Sequence, residues 1–251
     1  MPKNALCLIS HYPNPNWMDF LNNFTYYDIF IIVDDNSQNY QDVYGVKYKH
    51  IKFIQIDNEE YKNANYIDRD FLSEVISGWH KSLYYFSKMN TTYDNVWFFE
   101  DDVFFYNEKT LLKLDSQYPD TDLLSQELTE YNDVIDVWHW YKITMNYPKP
   151  FYNTMVCMVR MSKNLLQKIL DYSLTYNTLF FIEAMFPTLC IKNQLSHESP
   201  PQFHNIFYRH EFDIFSFNKD NLYHPIKRPN IYPLLREYIH HKTEKIGRAH
   251  V

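Results

Sequence analysis

Three consecutive acids interrupt a strongly apolar stretch in the first half of the chain. In NVWFFEDDVFFYNEKTLLKL, residues 95–114, Glu100, Asp101 and Asp102 lie between the apolar segments VWFF and VFF. Carboxylates are costly to bury unless they are paired or bind a metal ion. Converging carboxylates without Arg or Lys beside them suit a hard divalent cation such as Mg²⁺ or Mn²⁺. The alternative is a solvated acidic turn before a helix near NEKTLLKL.

A second acidic pair, Asp34 and Asp35, follows the apolar segment IFIIV. Both acid groups end short β-rich runs, which predict strands at ALCLIS (5–10), DIFIIVDDNS (28–37), IKFIQID (51–57) and NVWFFEDD (95–102). Ligands bind at the carboxyl ends of the strands in an open parallel sheet. Residues two apart on a strand share a face, so Glu100 and Asp102 are expected to point together into that crevice.

A long helix is predicted between the third and fourth strands. Its apolar stripe, at three- and four-residue spacing, consists of Phe71, Leu72, Val75, Ile76, Trp79, Leu83 and Phe86. Asp68 is the expected N-cap. His80 and Lys81 are expected on a solvated face of this helix, the alternative being contact with a bound diphosphate. Strand, helical crossover and parallel strand predict an α/β domain with a mostly parallel central sheet flanked by helices.

The second half of the chain is predicted to be less regular. Residues 151–162 (FYNTMVCMVRMS) predict a strand that leads into the helix KNLLQKILDYSL. Residues 179–194 predict a helix in which Pro187 is allowed only near the first turn or at a kink. We expect a single domain over residues 1–244. The tail KIGRAHV, residues 245–251, departs from the style of the chain and is expected to be non-native, with the natural C-terminus missing.

Composition argues against several classes of protein. With 3 glycines in 251 residues, the chain has neither a G-x-G-x-x-G nor a G-x-x-x-x-G-K-[ST] phosphate loop. The net charge of −7 argues against nucleic acid or an anionic membrane as a partner. The apolar runs are well below the ~20 residues of a membrane span. Cys7, Cys157 and Cys190 are far apart and are expected to be buried free thiols, so a soluble cytoplasmic protein is predicted.

Two segments are similar to those of a known enzyme class. IIVDDNSQN resembles the V-D-D-x-S segment of GT-A fold glycosyltransferases, and VWFFEDDVFF resembles their DxD motif in its E-D-D variant. The two lie about 65 residues apart, and the resemblance covers roughly residues 5–110. It implies a GT-A fold. It also implies sugar transfer from a nucleotide-sugar, expected to be UDP-linked, to a glycan or another hydroxyl acceptor.

The same resemblance implies roles for the acids. Asp34 and Asp35 would contact the nucleoside. Glu100, with Asp101 beside it, would bind the nucleotide by reaching its ribose or a metal-bound water. Asp102 would ligate Mn²⁺ or Mg²⁺ directly. The ion would bridge two phosphates and neutralise charge on the departing nucleoside diphosphate, so it would replace a glycine-rich loop.

A histidine from the C-terminal region is a further candidate metal ligand. Some GT-A enzymes add such a residue to the metal shell, and a neutral imidazole suits Mn²⁺. We choose His224, in YHPIKRP, over His204 and His210, because its segment also offers Lys227 and Arg228 to the diphosphate. The alternative is a hydrogen-bonded or surface histidine without a functional role.

A proton acceptor and a sugar platform complete the predicted site. Glu183 is a lone acid in an apolar run, where burial would raise its pKa, and it is the candidate base for an inverting transfer. The alternative is a glutamate that only complements a helix dipole. Trp138, His139 and Trp140 could form the apolar platform on which a sugar ring stacks, or could simply fill the core.

Two other functions remain open at this stage. A sugar-phosphate nucleotidyltransferase would share the sheet and the acids, but it should carry a glycine-rich N-terminal loop and a nearby lysine. The segment LISHYPNPNWMDF (8–20) contains no glycine. A catalytically inactive carbohydrate- or nucleotide-binding protein would bind without turnover and would tolerate the loss of Glu183. The sequence favours the metal-dependent glycosyltransferase.

Overall fold

The computed structural model of the chain describes residues 3–68, 77–131, 143 and 145–248. The strands are β1 (Asn4–Ser10), β2 (Asp28–Val33), β3 (Ile51–Ile54), β4 (Asn95–Glu100), β5 (Leu123–Leu124), β6 (Thr129–Glu130), β7 (Tyr152–Asn153), β8 (Met158–Ser162), β9 (His197–Glu198), β10 (Asn205–Ile206) and β11 (Tyr223–His224). The helices are α1 (Pro15–Leu21), α2 (Tyr40–Tyr44), α3 (Asn58–Asn63), α4 (Ser77–Tyr84), α5 (Glu108–Gln117), α6 (Lys163–Tyr176), α7 (Ile182–Lys192) and α8 (Tyr232–Arg248).

A seven-stranded sheet in the order β3-β2-β1-β4-β8-β5-β9 forms the centre of the fold. Strands β3, β2, β1 and β4 are parallel, β8 runs antiparallel to both β4 and β5, and β9 is parallel to β5. The predicted α/β class, with a mostly parallel sheet flanked by helices, is confirmed. The chain adds β2 and β3 on one side of β1 and β4 on the other, so the order reverses between β1 and β4. Such a reversal is the point at which open α/β sheets bind their ligands.

The central strands are apolar because helices cover both faces of the sheet. Along β1, Leu6 and Leu8 belong to one buried cluster, while Ala5 and Cys7 belong to the cluster on the opposite face. A parallel strand that is buried on both faces reads as a continuous apolar run. Because each of them is such a run, the first four strands could be predicted from the apolar segments of the sequence.

The predicted strand over residues 151–162 is wrong in its middle. The structure forms β7 and β8 with an interruption between them, because Thr154 makes hydrogen bonds to two other segments of the chain. Its backbone N–H donates to the carbonyl of Glu183 at 3.0 Å, and its hydroxyl donates to the carbonyl of Gln126 at 2.7 Å. The helix predicted after this segment is confirmed as α6. Ser162 caps it by accepting a hydrogen bond from the backbone of Leu165 at 3.2 Å.

Pro187 lies inside α7 rather than in its first turn. A residue at this position would normally donate its N–H to the carbonyl of Glu183, four residues earlier, and proline has no N–H to give. The freed carbonyl accepts the N–H of Thr154 instead. The proline therefore creates an acceptor that ties the segment between β7 and β8 to the beginning of α7.

The predicted helix before β4 is described from Ser77 onward, as α4. Trp79, Leu83 and Phe86 of its stripe are buried, whereas residues 69–76, with the first four stripe positions and the first turn after Asp68, lie outside the described residues. The expectation that His80 and Lys81 face solvent is wrong, since both are fully buried. The reason is that α4 packs against β1, β2, α3 and α6, so it has no solvated side. None of the helices in the described ranges is long and apolar enough to cross a membrane.

Candidate functional site

A polar cleft of about 310 Å³ opens at the carboxyl ends of β1, β2 and β4. It is lined by Ile9, Ser10, His11, Asp34, Gly78, Trp79, Glu100, Asp101 and Asp102. The cleft lies at the reversal of strand order between β1 and β4, where ligands are expected. Both acid groups identified in the sequence therefore contribute side chains to one crevice.

The three acids after Phe99 come together through a turn. Glu100 is the last residue of β4, and a turn over Asp101 and Asp102 is closed by the N–H of Val103, which donates to the carbonyl of Glu100 at 3.1 Å. The strand does not continue to residue 102, so its alternation is not what brings the carboxylates together. They meet because Glu100 Oε2 and Asp102 Oδ1 lie 3.8 and 3.1 Å from the same atom, Nε2 of His224.

His224 reaches the acids because β11 is attached to the segment that follows them. Phe104 and Tyr223 exchange backbone hydrogen bonds of 2.8 and 2.9 Å, and the N–H of Ile226 donates to the carbonyl of Asp102 at 2.7 Å. The imidazole is consequently buried, with 4% of His224 exposed. Long-range pairing of this kind leaves no local trace in the sequence.

The protonation of the His224 ring is fixed by its surroundings. Nδ1 lies 2.5 Å from the carbonyl oxygen of Phe207, and because a carbonyl can only accept, Nδ1 carries the hydrogen. Nε2 therefore faces two carboxylates, so a cation, either a proton or a metal ion, is needed between them. Burial alone would lower the pKa of His224, but its contact with Asp102 and the charges of Asp102 and Glu100 raise that pKa above its usual value.

Asp102 has the features of a metal ligand. Within the described residues its buried Oδ1 makes no hydrogen bond, although His224 Nε2 lies 3.1 Å away. Its Oδ2 pairs with the ammonium of Lys227. Burial would raise the pKa of Asp102, but the contacts with His224 and Lys227 lower it, so the carboxylate is charged. An available carboxylate oxygen beside an imidazole that is hydrogen-bonded through its other nitrogen fits a divalent cation.

Glu100 and Asp101 are held by donors from two other elements. The indole of Trp79 donates to Glu100 Oε1 at 2.8 Å, which leaves Oε2 directed at His224. The hydroxyl of Ser10 donates to Asp101 Oδ2 at 2.9 Å. Burial raises the pKa of both carboxyls, and the neighbouring charge of Asp102 adds to the effect. A cation at this site would offset that cost of burial.

The acids after β2 are neutralised differently. Lys81 is fully buried, and its ammonium lies 2.7 Å from Asp34 Oδ1, while Ser77 donates to Oδ2 at 2.6 Å. Asp35 is half-buried and accepts from the side chains of Ser37 and Tyr40 at 2.5 and 2.8 Å. Their predicted contact with a nucleoside remains a prediction. Helical spacing puts Lys81 on the side of α4 opposite Trp79, which explains why it was expected in solvent.

Glu183 is the second residue of α7, and most of its side chain is buried. Burial raises its pKa to about 7, and the charge of Glu100 contributes in the same direction. The predicted rise in pKa is thus present, while its role as a base remains a prediction. Trp138, His139 and Trp140 lie outside the described residues. His204 is exposed, and the ring of His210 contacts the rings of Phe207 and Phe212.

The sequence does not indicate the roles that four residues have in this site. Ser10 and Trp79 hold acids of the motif, and Lys81 neutralises Asp34. Cys157 was expected only to be a buried thiol, yet its sulfur lies beside Glu100 and His224. Only the pairing of β8 with β4 brings Cys157 beside Glu100, and that pairing cannot be read from a single sequence.

Known proteins resemble this chain only in structure. A crystal structure of 4-diphosphocytidyl-2C-methyl-D-erythritol synthase from Anaerococcus prevotii DSM 20548 has a TM-score of 0.48 at 10% identity, covering 95% of this chain and 96% of the other. A second structure of a synthase of that name has a TM-score of 0.43 at 8% identity, covering 81% of this chain and 95% of the other. No sequence profile of a known family and no curated protein matches the chain.

The prediction of a metal-dependent glycosyltransferase acting on a UDP-sugar is contradicted by these neighbours. Both are diphosphocytidyl-methylerythritol synthases by name, and the predicted alternative of a sugar-phosphate nucleotidyltransferase agrees with them better. Both reaction classes place carboxylates and a cation beside the phosphates of a nucleotide, so the acid motifs do not distinguish them. At 10% identity or less the likeness concerns the fold alone. Residue roles must therefore come from the geometry of the site.

Proposed function

We propose that the chain is a cation-dependent nucleotidyltransferase that binds a nucleoside triphosphate in the cleft between β1 and β4. One observation carries the proposal. At the reversal of strand order, Asp102 Oδ1 and Glu100 Oε2 converge on His224 Nε2, at 3.1 and 3.8 Å. Nucleotides bind at this edge of open α/β sheets, and their phosphates need a counter-charge that a chain with 3 glycines does not supply through a glycine-rich loop.

His224 and Glu100 would hold the divalent cation, and Asp102, 3.1 Å from the same ring nitrogen, would add its charge to the site. When bound, the ion neutralises charge on the phosphates and on the departing pyrophosphate. Asp102 presents the oxygen that lacks a hydrogen bond, and the carbonyl of Phe207 keeps the ring of His224 in the orientation that points Nε2 at the site. Trp79 holds Glu100 through its other oxygen, so one carboxylate oxygen remains free to bind.

The nucleotidyl group is transferred in a single displacement at its α-phosphorus. An oxygen of the acceptor, a sugar phosphate in this proposal, bonds to the α-phosphorus, and the bond from that phosphorus to pyrophosphate breaks. Lys227 lies at the rim of the site on Asp102, from which it can turn to the phosphates once a cation occupies that carboxylate. A sugar phosphate that binds with its second proton still in place, whose pKa is about 6, would pass that proton to Glu183, whose pKa is raised to about 7.

A nucleotide-binding protein without turnover is the second candidate. The loop after β1 favours it, because Ser10 Oγ contacts both the carbonyl of Tyr12, at 2.7 Å, and Asp101, at 2.9 Å. These contacts attach the loop to the acid motif. A glycine-rich loop at the same place would instead present free backbone N–H groups to phosphates. Such a protein would bind nucleotide through the same cation but release no pyrophosphate.

Calorimetric titration of CTP, UTP, ATP and GTP, each with Mg²⁺, with Mn²⁺ and with EDTA, tests the proposal. We expect one nucleotide to bind only when a cation is present, and pyrophosphate to be released when a panel of sugar phosphates is added. Asp102→Asn should weaken that binding by about 10- to 100-fold, a loss comparable to that seen at metal sites. The control Asp120→Asn, at an exposed acid, should not change it.

The possible results separate the two candidates. Binding without pyrophosphate release would favour the protein without turnover. Binding that is equally strong in EDTA, or no binding of any nucleotide by the folded protein, would overturn the cation-dependent site.

A further inference from the structure

Cys157, the residue before β8, lies beside Glu100, the last residue of β4. The register of β4 and β8 pairs Phe99 with Met158, and the N–H of Glu100 donates to the carbonyl of Cys157 at 2.9 Å. Cys157 precedes β8, so this backbone hydrogen bond extends the contact by one residue beyond the paired strands. The backbone contact therefore places the two residues side by side at the end of β4.

The thiol belongs to a compact group of potential ligands. The sulfur of Cys157, a carboxylate oxygen of Glu100 and a ring nitrogen of His224 all lie within 4.8 Å of one another. The other two cysteines are placed differently. Cys190 Sγ lies 3.5 and 3.4 Å from the carbonyls of Leu195 and Ser196, and Cys7 Sγ lies 4.0 Å from that of Leu8. Among the described residues, this is the one such group of His, Cys and acidic side chains.

We propose that Cys157 is a ligand of the cation site, together with Glu100 and His224, and that its sulfur makes the site select a borderline or soft divalent ion such as Zn²⁺ or Co²⁺ over Mg²⁺. This inference rests on the proposed function only in placing a cation here. Carboxylate and water oxygens suit Mg²⁺ and Mn²⁺, whereas thiolate sulfur with imidazole favours Zn²⁺ and its analogues. One thiolate, one imidazole and one carboxylate leave a fourth position open, as catalytic zinc sites do.

Binding of the ion changes the protonation of the thiol and involves no change of oxidation state. In the buried site without a cation the sulfur carries its proton. The ion displaces the S–H proton to solvent, and a sulfur electron pair forms the new bond. The three ligand atoms lie within 4.8 Å of one another, close enough to share one ion.

The test is a Co²⁺ titration of the metal-free protein, followed by absorption spectroscopy. We expect a near-ultraviolet thiolate-to-cobalt charge-transfer band that saturates at one equivalent, is abolished by Zn²⁺ and persists in excess Mg²⁺. Cys157→Ser should lose this band and bind Co²⁺ at least roughly 10- to 100-fold more weakly, since even outer-shell partners of metals cost that much. The control Cys7→Ser/Cys190→Ser, which keeps Cys157 as the one cysteine, should retain the band even if Cys157→Ser fails to fold.

Failure of this inference is distinguishable from failure of the proposed function. Co²⁺ binding without a charge-transfer band would show that Cys157 is not a ligand, while Mg²⁺-dependent nucleotide binding could still stand. Loss of the band in Cys7→Ser/Cys190→Ser would assign it to another thiol and would overturn the inference. Absence of any Co²⁺ binding by folded protein, together with nucleotide binding that ignores cations, would overturn both.

Discussion

Two acidic segments end strands on either side of β1, and they differ in how their charge is compensated. After β2, Asp34 is neutralised by the buried ammonium of Lys81, and Asp35 by hydroxyl groups a few residues away. After β4, burial raises the pKa of Glu100 and Asp101, and Asp102 keeps an oxygen without a hydrogen bond. The first segment is complete within the protein. The second keeps two buried carboxyls with raised pKa values, although Lys227 and His224 both contact Asp102.

The difference shows that acids at strand ends are not equivalent evidence for a ligand. Both segments follow buried apolar strands, and both line the same cleft. What separates them is the set of partners that the fold brings from a distance. These are an ammonium on α4 in one case, and an imidazole on β11 together with the ammonium of Lys227 in the other. Substitutions should therefore reduce stability at the first segment and cation binding at the second.

The largest effect is expected from Asp34→Asn. Removing this carboxylate leaves the ammonium of Lys81 buried without its counter-charge, and breaking a buried pair costs roughly 3–5 kcal/mol. Because about a quarter of the Asp34 side chain is exposed, we expect the lower end, about 3 kcal/mol of unfolding free energy, measured by urea denaturation. The double variant Asp34→Asn/Lys81→Met should recover much of this loss. A loss below about 1 kcal/mol, typical of exposed pairs, would contradict a buried pair.

A second effect on the β2 side depends on pH. Burial lowers the pKa of His80 to about 4, from 6.5 in the unfolded chain. Between these values the unfolded chain binds a proton that the folded protein does not, so stability falls as pH decreases from 6.5 toward 4. The full loss is about 3 kcal/mol, since one pKa unit corresponds to 1.36 kcal/mol.

Urea denaturation at a series of pH values from 7 to 4 measures this slope, and His80→Leu should reduce it. The slope should not vanish, because burial also lowers the pKa of His197 to about 4. His204→Gln, at an exposed histidine, is the matched control and should retain the wild-type slope. An unchanged slope in His80→Leu would mean that His80 is protonated in the folded protein.

On the β4 side, His224→Ala should affect binding more than folding. We expect the affinity for Mn²⁺ to fall by about 10- to 100-fold, equivalent to about 1.4–2.7 kcal/mol, as measured by calorimetry. Asp35→Asn, in the first segment, should leave Mn²⁺ affinity unchanged, because that carboxylate is satisfied locally. Equal losses of Mn²⁺ affinity in His224→Ala and Asp35→Asn would contradict the proposed difference between the two acidic segments.

The elements of this fold could be predicted where their signals are local. Strands β1 to β4 and helix α6 follow from apolar runs and periodicity. The prediction that the acids lie at the end of the fourth strand is also correct. The helix after residue 68 was assigned a solvated face because periodicity does not reveal that α4 is covered on all sides. That is why the burial of His80 and Lys81 was missed.

The site was only partly predictable, because its completion depends on long-range pairing. His224 could be suggested from its residue type, but its approach to Asp102 depends on the pairing of Phe104 with Tyr223. Cys157 enters through the register of β8 against β4, which one sequence does not specify. The reaction class was mistaken for a different reason. Carboxylates that hold a cation on phosphates serve both sugar and nucleotidyl transfer.

The smallest effect is expected from Pro187→Ala, which tests how the second segment is supported from α7. Alanine restores an N–H that competes with Thr154 for the carbonyl of Glu183, so the segment before β8 loses a tether while the helix gains a better residue. The lost tether and the better helix residue have opposite effects on the free energy of unfolding, which should change by less than about 1 kcal/mol. Nucleotide affinity should remain, because the cation ligands are not attached to this contact.

Pyrophosphate release by Pro187→Ala should fall by roughly tenfold, less than the 10²-fold that a displacement of ~1 Å can cost. Glu183, the proton acceptor in the proposed reaction, is held by the same turn of α7 that Thr154 fixes. Pro201→Ala, at an exposed proline opening a 3₁₀ turn, is the matched control and should retain wild-type release. If release is unchanged in Pro187→Ala while the Thr154 amide exchanges faster with solvent, then the tether serves the fold, and the position of Glu183 does not depend on it.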